Sequence, residues 1–506
     1  MYQLKFKKFH IILLSGIAIM TLSTCSLKKE EMSVNEKTPM VICFDVEDYT
    51  SPESAGMDDI PKWLAEIMTD EGVTGSFFVI GEKARMMEKR GRKDVIEAMA
   101  RHDIGSHTNF GSIHPTVTEI LEHASWELGT EEMLKNETTG FDDLERIFGQ
   151  RPANLARHGG SYGPQLTGAL SQMNAGYVYS PVSLPGHNAV WFCNTLNFHG
   201  EGDYGFFDDA YHRDDLFDPM LEALDTLIPA SIKDIDIMAF FANHPSKVRS
   251  IQFWDFNYYK GANPGADEWK TPELRPLESM ETAQKNFRRL IRYLKSRDDI
   301  ELTTFRELAK RFSCQEDTIG KDRLGLIAAR VLKENKIVID ELFSAAELFA
   351  ALAESLDHHH AAQELPVQVK IKRPFGPLEM PGSHPEFDHI PASGVFELAG
   401  MARTYIEKTN HLPTSLDYQG KKIGTGSLLA LFSEMFLEIQ DPNLPDQFST
   451  LSFEAYPSVN EENIISSVAA CKEWPVHRED LDMSHLIEMT KLQLWTLKPA
   501  RENEKR

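Results

Sequence analysis

The stretch VICFDVEDY, Val41–Tyr49, runs from four apolar side chains straight into three carboxylates within four positions. An apolar run of this kind indicates a buried strand, and the acids that follow it then lie at the rim of a core. Carboxylates this close together repel one another unless a cation or a shared proton neutralises them. The stretch therefore predicts either a cation site or, more simply, a strand that leads into a solvated acidic loop.

Strand and helix patterns alternate after this stretch. Ser76–Gly81 reads as a second buried strand, Lys93–Arg101 as a helix and Asp103–His107 as a third strand. The alternation continues to Phe312 in about seven units, which is typical of an α/β barrel with parallel strands. Such barrels place their chemistry at the carboxyl ends of the strands. The polar residues expected at that edge are Asp45, Glu47, Asp48 and His107.

Three further groups follow predicted strands. His107 and His114 flank a short loop, and two histidines with one carboxylate suit a catalytic zinc that keeps an open position for water. Arg157 begins the glycine-rich sequence RHGGSYG, where a guanidinium could fix a carboxylate. His244 precedes a proline at the end of a later strand and could act as an acid or a base. Each of these histidines could also be an ordinary structural residue.

The composition suggests an exported protein. The chain has 506 residues and a net charge of −24, which disfavours nucleic acid as a partner. Lysines precede the short apolar run Ile11–Leu22, as in a signal peptide. The sequence LSTC that ends at Cys25 resembles the lipobox of bacterial lipoproteins. That resemblance implies a lipidated Cys25, a tether over residues 26–38 and a lipid anchor in the cell envelope; plain cleavage to a secreted or periplasmic protein is the alternative.

The order of the motifs between Val41 and Phe312 resembles the NodB-type polysaccharide deacetylases. The strand end FDVED is similar to the first motif of the family, in the form that one subgroup writes as DVEDY. The histidine motif has three extra residues between its two histidines, and the arginine motif is RHGGSYG where the family usually has RPPYG. The other segments that resemble family motifs are Ser76–Gly81, Phe240–Pro245 and Leu302–Leu308.

The resemblance implies a distorted (β/α)7 barrel over residues 39–313 that holds one divalent metal, commonly zinc. His107, His114 and a carboxylate of the first motif would bind the metal. Asp48 is favoured as that carboxylate and Glu47 competes with it. Asp45 would be the general base, held by Arg157, and His244 would protonate the leaving amine. Tyr162 and Trp254 are the expected substrate contacts. The substrate would be a polysaccharide with N-acetylated sugars.

Residues 314–506 read as a separate, helix-rich accessory domain. Val395–Ile439 resembles a pseudomurein-binding repeat, and Leu324–Leu356 resembles a shorter copy, which implies binding to the cell wall or to a glycan. A helical domain that only packs on the barrel is the alternative. Two other functions stay open for the barrel. It could hydrolyse a carbon–nitrogen bond in an amide that is not a sugar, or it could be a glycan-binding lipoprotein that has lost its metal.

Overall fold

The structure is a computed structural model that describes residues 37–199, 205–232, 236–384, 386, 388–440 and 444–503. The predicted signal peptide, Cys25 and the tether up to residue 36 lie outside the described residues. The described residues from Thr38 onward form one compact unit. No helix among the described residues is both long and apolar enough to cross a bilayer.

Short strands and longer helices alternate along the chain. The strands are β1 Thr38–Val46, β2 Ser76–Val79, β3 Asp103–Ser106, β4 Asn154–Ala156, β5 Gly176–Ser180, β6 Ala189–Phe192, β7 Thr195–His199, β8 Met238–Asn243, β9 Ile300–Thr303, β10 Thr318–Gly320, β11 Gln368–Lys370, β12 His389–Pro391, β13 Ser415–Tyr418, β14 Lys421–Gly424, β15 Gln447–Ser449 and β16 Lys498–Pro499. The helices are α1 Asp59–Asp70, α2 Gly81–Lys89, α3 Lys93–Met99, α4 Val117–Leu121, α5 Trp126–Phe148, α6 Pro164–Gln172, α7 Asp214–Ser231, α8 Pro245–Arg249, α9 Ser279–Lys295, α10 Phe305–Arg311, α11 Lys321–Glu334, α12 Ala345–Ala362, α13 Ala392–Thr409, α14 Thr425–Glu438, α15 Glu461–Ala470 and α16 Ser484–Gln493.

One curled sheet contains ten of the strands, in the order β16-β6-β7-β5-β4-β3-β2-β1-β8, with β9 paired to the start of β1. Neighbours are parallel except for β6, which is antiparallel to both β7 and β16. Helices follow most of the parallel strands, as βα units require. The predicted α/β barrel-type fold with additional helical regions is confirmed.

Strand β1 lies between β2 and β8 and also pairs with β9, and all nine of its residues are buried. Its side chains alternate between two apolar clusters. Ile42, Phe44 and Val46 pack under the helices, whereas Val41 and Cys43 face the inside of the curled sheet. Because side chains on a strand repeat every second residue, Asp45 points to the same side as Val41 and Cys43. This alternation carries the odd-numbered acids toward the barrel interior.

The chain after residue 313 both forms its own core and joins the barrel. Helices α11 to α14 bury an apolar cluster of their own. Strand β16 extends the main sheet beside β6, and α16 packs against α6. Lys498 of β16 donates to both carboxylate oxygens of Glu347 at 2.7 and 2.8 Å, and both side chains are buried. The end of the chain is therefore fixed to both cores.

Candidate active site

The carboxyl ends of three strands of the parallel sheet bring Glu47, His107 and His158 together. Glu47 follows β1, His107 follows β3 and His158 follows β4. One nitrogen or oxygen from each side chain lies within 4.8 Å of the others, and all three residues are buried. Glu47 Oε1 is 3.3 Å from His107 Nε2 and 3.2 Å from His158 Nδ1. Tetrahedral ligands at zinc–ligand bonds of about 2.0–2.1 Å lie about 3.3 Å apart. These distances fit a shared cation.

The hydrogen bonding of His107 favours a cation over a simple hydrogen bond. Its Nδ1 lies 3.2 Å from the carbonyl oxygen of Ala156, which can only accept, so Nδ1 carries the hydrogen. Burial lowers the pKa of His107 to about 4, and the contact with Glu47 offsets only part of this, so the ring is neutral near pH 7. Its Nε2 therefore presents a lone pair to a carboxylate oxygen. Two acceptors this close need a proton or a metal between them.

The hydrogen bonding of His158 also favours a bound cation. Its Nε2 lies 3.1 Å from the hydroxyl of Ser112, whereas its buried Nδ1 makes no hydrogen bond of good geometry with any described atom. An orphaned buried nitrogen beside a carboxylate fits a metal ligand. Burial by itself would raise the pKa of Glu47, but His107, His158 and the charge of His244 outweigh it and hold the pKa well below its usual value. Glu47 is thus ionised and ready to bind a cation.

A tryptophan fixes the orientation of the carboxylate. The indole nitrogen of Trp254 donates to Glu47 Oε2 at 3.0 Å, and the Trp254 side chain is fully buried. Its ring packs at 60° on that of Tyr49, with centroids 4.6 Å apart. Trp254 was predicted to contact substrate. The structure instead gives it a supporting role, because its only polar atom is committed to the candidate ligand.

Asp45 and His244 flank the same carboxylate. Asp45, Glu47 and His244 form a second group whose ligand atoms lie within 4.8 Å, and Asp45 Oδ2 is 3.6 Å from His107 Nε2. Asp208 accepts from the backbone N–H of His244 at 2.8 Å and contacts its Nδ1 at 2.7 Å. Burial would lower the pKa of His244, but Asp208, with help from Glu47 and Asp45, raises it to about 10. His244 is therefore a proton donor at neutral pH.

The structure does not bring Asp48 or His114 into this group. Asp48 Oδ1 accepts from the backbone N–H groups of Thr50 and Ser51, at 3.0 and 2.9 Å, so Asp48 shapes the loop after β1. His114 contacts Glu119 Oε2 at 2.7 Å and lies 3.1 Å from the carbonyl of Tyr258. Strand alternation turns Glu47 toward the site in place of Asp48. His158 takes the position that the sequence assigned to His114.

Arg157 and Tyr162 also lie apart from the roles predicted for them. Arg157 Nη1 donates to the sulfur of Cys471 at 2.9 Å, and the described contacts do not include one with Asp45. Tyr162 is fully buried in an apolar cluster, and its hydroxyl lies 3.0 Å from Thr490 Oγ1. Both side chains point toward the C-terminal region, which packs against this face of the barrel. Tyr162 therefore has no surface to offer a substrate.

A segment of the C-terminal region, Cys471–His477, covers the candidate site. The ring of Trp474 meets that of His158 edge to face at 4.9 Å, and its indole nitrogen donates to Asp255 Oδ2 at 3.3 Å. Gly159 has φ +50°, and a Cβ there would lie 2.3 Å from the Trp474 ring. The glycines of RHGGSYG thus allow close packing of this covering segment, not of a ligand.

No role was predicted for His158 from the sequence. The available signal was its position, since it follows β4 just as His107 follows β3, and β3 and β4 are adjacent and parallel. Neighbouring parallel strands end at one edge, about 4.8 Å apart, so the residues that follow them closely can meet. The covering segment had no comparable signal, because it lies more than 300 residues further along the chain.

No family model matches the sequence, and no curated protein matches it. Solved structures do. A Mycobacterium smegmatis protein assigned as a polysaccharide deacetylase matches with a TM-score of 0.36 and 14% identity over 55% of this chain and 91% of its own. The PuuE allantoinase matches at 0.34 and 12%, over 54% and 89%. A Pseudomonas aeruginosa PAO1 protein, also assigned as a polysaccharide deacetylase, matches at 0.35 and 10%, over 54% and 89%. The neighbours of this fold thus include polysaccharide deacetylases, at scores too low to assign an activity.

Proposed function

We propose that the protein is a metal-dependent hydrolase that removes N-acetyl groups from an amino-sugar polysaccharide. The observation that carries this proposal is the joint placement of Glu47, His107 and His158 as ligands with Asp45 and His244 beside them. Three protein ligands with an open fourth position are typical of a catalytic metal, and zinc suits a set of two imidazoles and one carboxylate. The bound metal would lower the pKa of a water and polarise an amide carbonyl.

The other groups supply proton transfer and orientation. Asp45 lies on the same side of β1 as Glu47 and is close enough to the ligand group to accept a proton from an attacking water. His244 is protonated near neutral pH and gives a proton to the nitrogen that leaves. Asp208 holds the His244 ring through Nδ1, and the ring lies beside Asp45 and Glu47, within reach of the proposed reacting group. The products would be a free amino sugar and acetate.

One observation favours a second candidate, a glycan-binding barrel that lacks catalysis. Trp474 closes over His158, and Asp45, Glu47, His107 and His158 are each at most 6% exposed. A hydrolase needs the substrate amide to reach these groups, so catalysis requires that the covering segment moves away or opens.

The remaining alternative is hydrolysis of a carbon–nitrogen bond in an amide that is not a sugar. It uses the same groups and differs only in substrate.

The N-terminal sequence supports a proposal for the location of the protein. We propose that Cys25 is lipidated and that the barrel is anchored in a bacterial cell envelope, where polysaccharide is accessible. The secreted or periplasmic form is the alternative. Labelling with a palmitate analogue distinguishes them, because a Cys25→Ser variant of a lipoprotein loses the label and the membrane fraction.

The activity test combines metal content with acetate release. The purified chain is expected to carry about one zinc and to release acetate from oligomers of chitin, peptidoglycan or a host glycan, with loss of activity in chelator. Asp45→Asn is expected to abolish acetate release and retain the metal. A metal-free protein that still binds these oligomers would overturn the enzyme proposal in favour of the binding protein.

A further inference from the structure

A second concave site lies at the same edge of the sheet as the candidate metal group. It is a cavity of about 460 Å³ between the β5–β6 loop and helix α15. Loop residues Asn188 and His187 form one side and Asn463, Ser466 and Ser467 of α15 form the other, with His199 at the end of β7. None of the described residues that line the cavity is Asp, Glu, Lys or Arg. The lining is therefore polar but mostly uncharged.

Contacts between distant parts of the chain hold the two walls in place. The side-chain amide of Asn460 donates to the backbone oxygen and the hydroxyl of Ser183, at 3.1 and 3.3 Å, and so ties the start of α15 to the loop. Asn188 is almost fully buried, and its Oδ1 accepts from the backbone N–H groups of Asp236 and Ile237, each at 3.0 Å. The cavity is thus built by two structured walls and does not depend on one exposed loop.

Several polar groups in the cavity remain available to a ligand. His199 Nδ1 donates to the carbonyl of Ser180 at 2.7 Å, so the other ring nitrogen, Nε2, can bind a ligand in the cavity. The hydroxyls of Ser466 and Ser467 have no side-chain hydrogen bond among the described residues. The side-chain amide of Asn463 donates to Asn460 Oδ1 at 2.7 Å, and its side-chain oxygen can still accept a hydrogen bond from a ligand. Uncharged donors and acceptors at this density suit a ligand with several hydroxyl groups.

One continuous segment of the chain runs from the wall of the cavity to the neighbourhood of the candidate metal group. Helix α15 ends at Ala470, and the next residue, Cys471, accepts the hydrogen bond from Arg157, the neighbour of His158. Ser467 precedes Cys471 by one helical turn, a rise of about 6 Å. In the sheet, β7 lies two strands from β4, a lateral separation of about 10 Å. A short oligosaccharide can span this separation.

We propose that the cavity is a distal subsite for a neutral sugar unit of the glycan chain, with the C-terminal helix α15 as one of its walls. The proposal rests on the proposed function for the identity of the polymer, but sugar binding in the cavity does not require catalysis. It assigns to the C-terminal region a direct part in substrate recognition. The ligand class is a neutral N-acetylhexosamine oligomer, longer than the unit that lies at the metal.

The test measures how binding depends on oligomer length. The mature chain carrying Asp45→Asn is titrated with N-acetylglucosamine oligomers of two to six units by calorimetry. Affinity is expected to rise about tenfold once the oligomer reaches the cavity, as two new hydrogen bonds would give. Ser466→Trp fills the cavity from an exposed position and is expected to remove this gain. Asn463→Ala is a milder second variant that is expected to reduce it.

Glu462→Trp is the matched control, since Glu462 is an exposed residue of α15 that does not line the cavity. It is expected to keep the full dependence on length. The subsite proposal is overturned if the affinity does not change with oligomer length or if no binding is measured. It is also overturned if Ser466→Trp still shows the gain in affinity. Acetate release by the parent chain is measured separately. Release without length-dependent binding removes only the subsite, whereas length-dependent binding without release removes only the proposed activity.

Discussion

His158 Nδ1 lies 3.2 Å from Glu47 Oε1, although the two residues are 111 positions apart in the sequence. This contact identifies the candidate metal ligands, because it joins the end of β4 to the end of β1 across the two intervening strands. Since Glu47 is ionised and His158 Nδ1 lacks a well-aligned hydrogen bond, a cation between them satisfies both groups. The first prediction follows from this pair.

Exchange of the ligands is expected to remove the metal. His158→Ala and Glu47→Gln each delete one of three ligands, and zinc per chain, measured by mass spectrometry, is expected to fall from about one to near zero. His114→Ala and Asp48→Asn are the controls, because neither side chain joins the group. Their zinc content is expected to match the parent chain. Loss of zinc in His114→Ala with retention in His158→Ala would reverse the assignment.

The indole of Trp254 is expected to strengthen metal binding. Trp254→Phe keeps an aromatic ring against Tyr49 but deletes the donor to Glu47 Oε2. Losses of this kind typically weaken a metal site by about 10- to 100-fold. A competition titration with a chromogenic chelator measures the change. Trp269→Phe is the control, since Trp269 also packs on the Tyr49 ring and has no described bond to Glu47. Equal effects of both substitutions would indicate a packing role for Trp254.

Glu137 of α5 is expected to make stability depend on pH. Burial raises its pKa to about 7, and its Oε2 has no hydrogen-bond partner among the described residues. The folded state therefore holds a proton that the unfolded state releases above its pKa of 4.5. Stability is lost as the pH rises from about 4.5 to 7, by up to about 3 kcal/mol at pH 8.

Glu137→Gln is expected to remove this loss, so that the variant exceeds the parent chain in stability at pH 8 and matches it at pH 4. Urea unfolding at the two pH values measures the difference. Glu131→Gln, at an exposed position of the same helix, is expected to behave as the parent chain does. If the difference in unfolding free energy between Glu137→Gln and the parent chain is the same at pH 4 and pH 8, the carboxyl does not titrate as described.

The buried ion pair between Lys498 and Glu347 is expected to hold the end of the chain to the helical core. Lys498→Met leaves Glu347 buried without its closest cation, which typically costs about 3 to 5 kcal/mol in the free energy of unfolding. The exposed pair of Lys260 and Glu479 provides the contrast, and Lys260→Met is expected to have no measurable effect. Denaturant unfolding that shows similar small changes in both variants would contradict this role.

The sequence was sufficient for the parallel core of the fold. Helix and strand periodicity between Val41 and Phe312 predicted most of the parallel βα units, because a strand buried on both faces is a continuous apolar run. The hairpin of β6 and β7 and the two-residue strand β16 were not predicted. Strand β16 pairs with β6, which lies about 300 residues earlier in the chain, and so short a strand has no pattern of its own.

By itself, the sequence determined that acids lie at the end of β1, that His107 follows β3 and that a histidine lies at the end of β8. Asp45, Glu47, His107 and His244 were therefore all predicted as site residues. Only the tertiary structure decided which of Glu47 and Asp48 faces the barrel, and that His158 joins the group instead of His114. It also decided that Cys471–His477 covers the site. Side-chain direction at a strand end and contacts between residues hundreds of positions apart depend on packing, which no local pattern records.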